Sequence, residues 1–221
     1  MILGIYCAGN LGRSLLDIAN RINKHSYRWD TIVFVDDVRQ EQEYYGTKVL
    51  RLADFPKGQG ISECVIANGV PDNRYNIYKR LLSCGCNLTT LIDPTAIVSP
   101  SAHIGNGTVI RSYAFVGPDV SVADNTLVLC YANVPHDVRV DEHSVIGSNA
   151  CLGGGVSVGK HTYIGQGAIV RENLQLGDHC IVGMGAVVLH DVDDDSVVVG
   201  SPAKCIRKNG GENLFLERRE L

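Results

Sequence analysis

Aliphatic residues recur every six positions through the second half of the chain. From Ile92 to Val188 each sixth residue is Ile, Val or Leu, without interruption. A smaller residue follows four positions later, and Gly often follows directly, as at Gly105 and Gly147. A period of six fits neither a helix nor an alternating strand. It predicts a parallel β-helix in which three hexapeptides complete a coil, with Gly, Asn or Asp where the turns need a positive φ.

The start of the chain has a different pattern. Apolar runs at Ile2 to Tyr6 and Thr31 to Val35 predict strands, and helical spacing runs from Ser14 to Ile22. A tight turn at Ala8 to Gly12 separates the first strand from the helix. This order predicts an α/β domain with a Rossmann-like βαβ start and a parallel sheet.

The following segment leads into the repeat. Cys64 to Ala67 is predicted as a strand, Asn73 to Leu82 as a helix and Leu88 to Ile92 as a strand, whereas the weak pattern of residues 38–60 supports no assignment.

We therefore divide the chain into three parts. Residues 1–88 form the α/β domain, residues 89–208 form the β-helix, and residues 209–221 form a polar tail. The repeat breaks at Asp191 to Asp195, which we expect to be a solvated loop before a last strand at Val197 to Val199.

Composition narrows the class of protein. The net charge of −4 and the absence of a basic stripe argue against nucleic-acid binding. No apolar run approaches the roughly 18 residues of a membrane span and no signal peptide is apparent, so we expect a cytoplasmic protein. Eight scattered cysteines fit a reducing compartment, and the one close pair, Cys84 and Cys86, cannot complete a tetrahedral zinc site.

The glycine turn is a candidate ligand site. Gly9, Asn10 and Leu11 lie where a helix N-terminus would aim N–H groups at a phosphate, and Asp36 or Asp37 closes the second strand, where a ribose is often bound. A tight turn without a ligand is the alternative interpretation. An NAD-linked oxidoreductase is a further one, although about 88 residues leave little room for a dinucleotide.

One histidine stands out among seven. Four others fall at predicted turn positions, where we expect a polar side chain to be solvated: His103, His143, His161 and His179. His136 is followed by Asp137, and a carboxylate that fixes the imidazole tautomer makes a general base. Gly154 lies eighteen residues, one full coil, after His136. We expect it directly above the imidazole, at the strand spacing of about 4.8 Å.

Several motifs together resemble a known family. They are Ile5 to Gly12, Phe34 to Asp37, Leu91 to Ala96, His136–Asp137, Gly154 and the closing Val199 to Lys204. Through them the chain is similar to bacterial sugar acyltransferases of the sialic-acid O-acetyltransferase type, which include N-acetyltransferases of nucleotide-linked 4-amino sugars. The resemblance covers nearly all of residues 1–208.

This resemblance implies a left-handed β-helix, a homotrimer, and acetyl-CoA bound between neighbouring prisms without a metal. It implies His136 as the catalytic base and Asp137 as the acid that tunes it. Gly154 would lie beside the thioester. It further assigns Gln166 and Met184 to the pantetheine arm, Gly9, Asn10 and Leu11 to the nucleotide sugar, and Asp36 and Asp37 to its nucleoside.

The expected function is acetyl-CoA-dependent N-acetylation of a nucleotide-linked amino sugar. O-acetylation at the same site and a non-catalytic nucleotide-sugar scaffold are alternatives. A γ-type carbonic anhydrase, another hexapeptide prism, would need zinc-binding histidines close in sequence. His136 and His143 are seven residues apart and do not share a column of the coil, which argues against this alternative. The chain departs from the family pattern at Cys7, Asn10–Leu11, Leu129, Pro135 and Val145, which leaves open the sugar, the acyl chain and the choice between N- and O-transfer.

Overall fold

The computed structural model describes residues 1–210, so the predicted tail lies outside the described residues from position 211 onward. The N-terminal part contains β1 (Ile2–Tyr6), α1 (Asn10–Ser26), β2 (Thr31–Val35), β3 (Glu43–Tyr44), β4 (Thr47–Leu50), β5 (Ser62–Ile66) and α2 (Pro71–Ser83). Its five strands form one sheet in the order β3-β4-β2-β1-β5. β1 pairs in parallel with both β2 and β5.

Both helices extend beyond their predicted ends, whereas the strand predicted from Leu88 to Ile92 is only two residues long, at Leu91–Ile92, and Leu88 forms an isolated bridge to Cys64. Helix α1 begins at Asn10, four residues before the predicted start, because Gly9 takes the extended conformation of an N-cap. The predicted apolar face is buried at Leu15, Ile18 and Ala19. The hairpin of β3 and β4 has no hydrophobic alternation from which it could be predicted. Its turn has positive φ at Tyr45 and Gly46.

The second half is a parallel β-solenoid of two-residue strands. They are β6 (Leu91–Ile92), β7 (Ile97–Val98), β8 (His103–Ile104), β9 (Val109–Ile110), β10 (Phe115–Val116), β11 (Ser121–Val122), β12 (Leu127–Val128), β13 (Asn133–Val134), β14 (Arg139–Val140), β15 (Val145–Ile146), β16 (Cys151–Leu152), β17 (Ser157–Val158), β18 (Tyr163–Ile164), β19 (Ile169–Val170), β20 (Gln175–Leu176), β21 (Ile181–Val182) and β22 (Val187–Val188).

These strands stack into the three sheets of a prism. Sheet I contains β7, β10, β13, β16, β19 and β22, and sheet II contains β8, β11, β14, β17 and β20. Sheet III contains β6, β9, β12, β15, β18 and β21. Partners are eighteen residues apart, as in Val128 with Ile146, so one coil is three hexapeptides as the repeat predicts. The periodic aliphatic residues form the continuous core between the sheets.

The end of the prism differs from the expected loop. Val192 is buried and forms a β-bridge with Leu176. Val192 therefore takes the place of the apolar residue that the repeat would require at position 194. Asp191 and Asp194 are not merely solvated, because each accepts a backbone N–H of the preceding coil at 2.8 Å. Sheet III then gains β23 (Ser196–Val199) and an antiparallel strand that the sequence pattern did not predict, β24 (Lys204–Lys208).

Each edge of the prism turns through one residue with positive φ. These residues recur every six positions: Gly107, Tyr113, Asp119, Asn125, Tyr131, Asp137, His143, Asn149, Gly155, His161, Gly167, Asn173, His179 and Gly185. Tyr and His therefore occupy positive-φ turn positions as well as the expected Gly, Asn and Asp. The glycines that directly follow the aliphatic residues are required for another reason. A Cβ on Gly147 would lie 2.6 Å from the backbone nitrogen of Gln166, so close stacking of the coils excludes a side chain.

The N-terminal part packs on sheet III. The outward-facing residues Leu91, Val109, Leu127 and Val145 share a hydrophobic cluster with residues of β1 and α1. Arg21 of α1 forms an ion pair with the fully buried carboxylate of Asp93 on the first coil. Within residues 1–210, neither helix is long and apolar enough to cross a membrane.

Candidate active site

His136 and Asp137 lie on the edge between sheets I and II, in the turn from β13 to β14. The turn holds Asp137 at φ 58°, and its Oδ2 lies 2.8 Å from His136 Nδ1. Both side chains are about two-thirds exposed, at 66 %. With Nδ1 donating to the carboxylate, the ring presents Nε2 as its free acceptor.

Gly154 lies one coil further along the same edge. A Cβ on Gly154 would stand 2.4 Å from His136 Cε1 and 2.7 Å from Nε2, so the imidazole packs against the glycine backbone. The N–H of Gly155 donates to the His136 carbonyl at 3.1 Å, which fixes the two turns relative to each other. The eighteen-residue spacing thus brings these two residues together.

The glycine turn lies at the carboxyl end of β1. Gly9 is the N-cap of α1 without a capping side chain, and the first turn of the helix carries no acidic residue. Cys7 is held at φ 81°, a conformation that favours glycine. A Cβ on Gly12 would lie 2.3 Å from the Cys7 carbonyl oxygen, so the turn and helix pack tightly. Gly9 and Asn10 are exposed and Leu11 is half-buried.

Asp36 supports this turn through its carboxylate. One oxygen accepts the N–H of Ala8 at 2.8 Å, and the other accepts those of Val38 and Arg39, each at 2.9 Å. Partial burial opposes ionisation, but these backbone donors outweigh it and hold the pKa of Asp36 below its usual value. Asp36 therefore joins the end of β2 to the glycine turn.

Asp37 also has protein partners. Its carboxylate accepts the N–H of Leu52 at 2.9 Å and forms an ion pair with Arg80 at 2.7 Å. The hydroxyl of Tyr6 donates to it at 3.1 Å. The sequence suggested a ligand contact for this pair of carboxylates, and it contained no signal for these internal bonds.

Gln166 and Met184 stack on a different edge, between sheets III and I. The N–H of Gly185 donates to the Gln166 carbonyl at 2.9 Å, and both side chains are exposed. Within one chain, this pair and His136 lie at opposite ends of sheet I. The structure therefore groups the predicted site residues into three clusters: the edge that carries His136, Asp137 and Gly154, the edge that carries Gln166 and Met184, and the glycine turn with Asp36 and Asp37.

Comparisons with known proteins agree with this architecture. Residues 155–190 match the family model described as bacterial transferase hexapeptide (six repeats). A search of curated proteins finds no significant match. Among solved structures, the acetyltransferase domain of PglB from Neisseria gonorrhoeae FA1090 is 31 % identical with a TM-score of 0.86, and the alignment covers 93 % of this chain and 99 % of that one. The chain belongs to the hexapeptide-repeat sugar acetyltransferases.

Two further structures resemble this acetyltransferase. A variant of perosamine N-acetyltransferase from Caulobacter crescentus, in complex with CoA and GDP-perosamine, is 26 % identical with a TM-score of 0.85, covering 94 % of this chain and 98 % of that one. WeeI from Acinetobacter baumannii AYE, at 24 % identity, TM-score 0.86 and coverage of 93 % and 100 %, shows the shared fold. The PglB domain has also been solved in complex with acetyl coenzyme A.

One buried charge in this acetyltransferase was missed by the sequence reasoning. Arg74 of α2 is fully buried and donates to the carbonyls of Ile66 and Asn68 and to both the backbone and side-chain oxygens of Asn125. Burial lowers the pKa of this guanidinium to about 9. Arg74 stands three and seven residues before Ile77 and Leu81, which are apolar, so its position on the buried helix face was the available signal.

The expectation of solvated turn histidines is wrong for three of the four, His103, His143 and His161. The His161 side chain is only 12 % exposed, and its Nδ1 lies 3.0 Å from Asp72 Oδ1. His103 lies in strand β8 rather than a turn, although it is exposed. His143 is buried, its Nδ1 lies 3.0 Å from the Asn125 amide nitrogen, and its ring packs 4.9 Å from that of Tyr75. Burial, with a smaller contribution from nearby His161, lowers the pKa of His143 to about 4. Tyr75 and Tyr78 of helix α2 pack against the His143 ring and shield it from solvent.

Proposed function

We propose that the protein transfers the acetyl group of acetyl-CoA to the amino group of a nucleotide-linked amino sugar, with His136 as general base. The observation that carries the proposal is the orientation of the imidazole. Its Nδ1 is engaged by Asp137, and its Nε2 lies over the backbone of Gly154. A base fixed in this tautomer beside a backbone without a side chain suits attack on a thioester.

The reaction follows from this geometry. The sugar amine attacks the thioester carbonyl carbon, a C–N bond forms, and the proton leaves nitrogen for His136 Nε2. The C–S bond then breaks, and the imidazolium returns the proton to the departing CoA sulfur. Asp137 stabilises the imidazolium between these steps.

A backbone donor is available for the oxyanion. Within the described residues, the N–H groups of Gly153 and Gly155 donate to the carbonyls of Val170 and His136, whereas the N–H of Gly154 makes no backbone hydrogen bond. We assign this N–H to the negative charge that develops on the carbonyl oxygen.

The N-terminal part, residues 1–88, is proposed as a Rossmann-like nucleotide-sugar-binding domain. Its glycine turn lies where strand order reverses, between β2 and β5 on either side of β1, the usual ligand position in such sheets. The uncapped N-terminus of α1 suits a phosphate, and Arg13 follows one turn later. The Caulobacter relatives bound to GDP-perosamine support this assignment. Asp36 and Asp37 remain the residues that we propose at the nucleoside. Their carboxylates also order the loop that would surround it.

We propose a homotrimer of left-handed β-helices as the active form. The cluster around His136 and the pair Gln166 and Met184 lie on different edges of one prism. A neighbouring prism would bring one edge of each kind into a shared groove for acetyl-CoA. Sheet I also exposes large apolar residues that a neighbour would cover: Ile97, Phe115 and Ile169. Light scattering should give about three times 23.9 kDa, and a monomer at micromolar concentration would remove this part of the proposal.

Release of CoA thiol from acetyl-CoA, measured against a panel of nucleotide-linked sugars, tests the reaction. We expect thiol release with a 4-amino sugar nucleotide and mass-spectrometric detection of an N-acetyl product. An ester product on a sugar that lacks the amine would establish O-transfer instead. Trimers that bind nucleotide sugars without turnover would indicate a scaffold and refute the proposed activity.

A further inference from the structure

Three histidines are stacked along the edge between sheets II and III, away from the transfer site. His161 and His179 occupy the same turn position of successive coils, at φ 55° and 54°. The N–H of His179 donates to the Lys160 carbonyl at 2.8 Å, which sets the spacing. Their rings stack with centroids 4.6 Å apart and planes inclined by 24°. His143 precedes them by one coil, with its ring centroid 5.1 Å from that of His161.

Helix α2 adds a carboxylate to the two outer histidines. Asp72 Oδ1 lies 3.0 Å from His161 Nδ1 and 3.9 Å from His179 Nδ1. One potential ligand atom from each of the three residues lies within 4.8 Å of the other two. A hydrogen bond to His161 accounts for the first contact, but 3.9 Å is beyond hydrogen-bond distance for the second. Two imidazole nitrogens thus lie near one carboxylate oxygen, at separations that a shared cation could span.

We propose that Asp72, His161 and His179 bind a divalent transition metal of the Zn²⁺ class. Two imidazoles and a carboxylate are a zinc donor set, with metal–ligand distances of about 2.0–2.2 Å. In a tetrahedral complex this places the donor atoms about 3.3 Å from one another. The observed separations bracket that value, so small side-chain rotations complete the site. The adjoining pocket, about 590 Å³ and lined also by Asn76 and Lys160, leaves a fourth position for water.

The role of the metal follows from what it joins. Asp72 is in the first turn of α2, and the histidines belong to the prism, so the bound ion cross-links the helix to the β-helix. The same helix carries Arg74, which holds the carbonyls of Ile66 and Asn68 at the end of β5. The site is structural, and the proposed acetyl transfer does not use it.

Isothermal titration of the chelator-treated full-length protein with Zn²⁺ alone tests the site. We expect one equivalent per chain, and a rise in the unfolding temperature when Zn²⁺ is added. His179→Asn and Asp72→Asn should each weaken Zn²⁺ binding at least tenfold. The His179 side chain is 46 % exposed and Asn accepts its φ of 54°, so the substitution should leave the fold intact, which circular dichroism checks. His190→Ala, an exposed histidine at the end of the prism, is the matched control and should bind as the wild type does.

The Co²⁺ complex gives a second readout. The wild type should show the visible absorption of four-coordinate Co²⁺, and His179→Asn should lose it. Failure of the wild type to bind Zn²⁺ would overturn the proposal. Equal binding by wild type and His179→Asn would overturn it as well, because the ion would then bind elsewhere.

Discussion

The imidazole of His136 fills the space in which a side chain of Gly154 would stand. A Cβ there would lie 2.4 Å from His136 Cε1, a distance that no real contact tolerates. The two residues are on successive coils of one edge, so the register of the β-helix sets the position of the proposed base. Gly154 is required at this position because the ring needs that space.

Substitution Gly154→Ala should therefore remove activity without unfolding the protein. The new methyl displaces the His136 ring, which is exposed and free to swing into solvent. We expect kcat to fall about 10²-fold or more, the loss of a positioned base, with the unfolding temperature nearly unchanged. Gly147→Ala is the contrasting control, because its methyl meets the backbone of the next coil and should lower stability. Wild-type turnover in Gly154→Ala would show that the ring need not lie there.

Removal of the proposed base itself should have a comparable effect. His136→Asn should reduce kcat by roughly 10² to 10⁴-fold, with the assembly and acetyl-CoA binding preserved. Asp137→Asn should be milder, because it leaves the imidazole in place. Asn also tolerates the φ of 58° that Ala would strain.

The control histidine for this experiment must be exposed. His143 is unsuitable because it is buried against α2, whereas His103 is exposed on strand β8. Kinetics of His103→Ala should match the wild type. An active His136→Asn enzyme would refute the assignment of the base.

Loss of the Asp36 carboxylate should weaken the proposed nucleotide-sugar site. Asp36→Ala frees the N–H groups of Ala8, Val38 and Arg39, so the glycine turn loses its support. We expect KM for the sugar nucleotide to rise about tenfold while KM for acetyl-CoA stays nearly constant, since uniform binding of one substrate is lost. Asp193→Ala, an exposed acid at the far end of the prism, is the charge-matched control. An equal rise in both KM values would refute a nucleotide-sugar role.

The repeat allowed much of this structure to be predicted. Six-residue periodicity gave the three-sheet solenoid, and the eighteen-residue coil placed Gly154 beside His136, because register in a β-helix is a local property. The two helices and strands β1, β2 and β5 of the N-terminal part followed from apolar runs, whereas β3 and β4 lack any alternation and were missed.

Contacts between distant segments could not be predicted from spacing. Nothing near His143 in the sequence shows that α2, some seventy residues earlier, covers it. The same holds for Asp36, whose pairing with Ala8 depends on how β1 and β2 align. A single sequence gives the register within the repeat but not the docking of a separate element on its edge.

The buried state of His143 makes a last prediction, about stability and pH. Burial lowers the pKa of His143 from 6.5 to about 4 in the folded chain. Between these values the unfolded chain binds a proton that the folded chain does not. The free energy of unfolding should therefore fall as the pH falls from about 6.5 toward 4, by about 2 kcal/mol at pH 5 from this residue.

His143→Asn isolates this contribution, since Asn accepts the positive φ of 64° and does not titrate. Urea unfolding at pH 7.5 and pH 5, at fixed protein concentration, should show a smaller acid-induced loss in the variant than in the wild type. The ion-paired carboxylate of Asp93, whose pKa is lowered to about 2, remains charged across this interval in the folded state and is common to both proteins. Equal losses in the two proteins would show that His143 takes up a proton in the folded state and is not desolvated beneath α2.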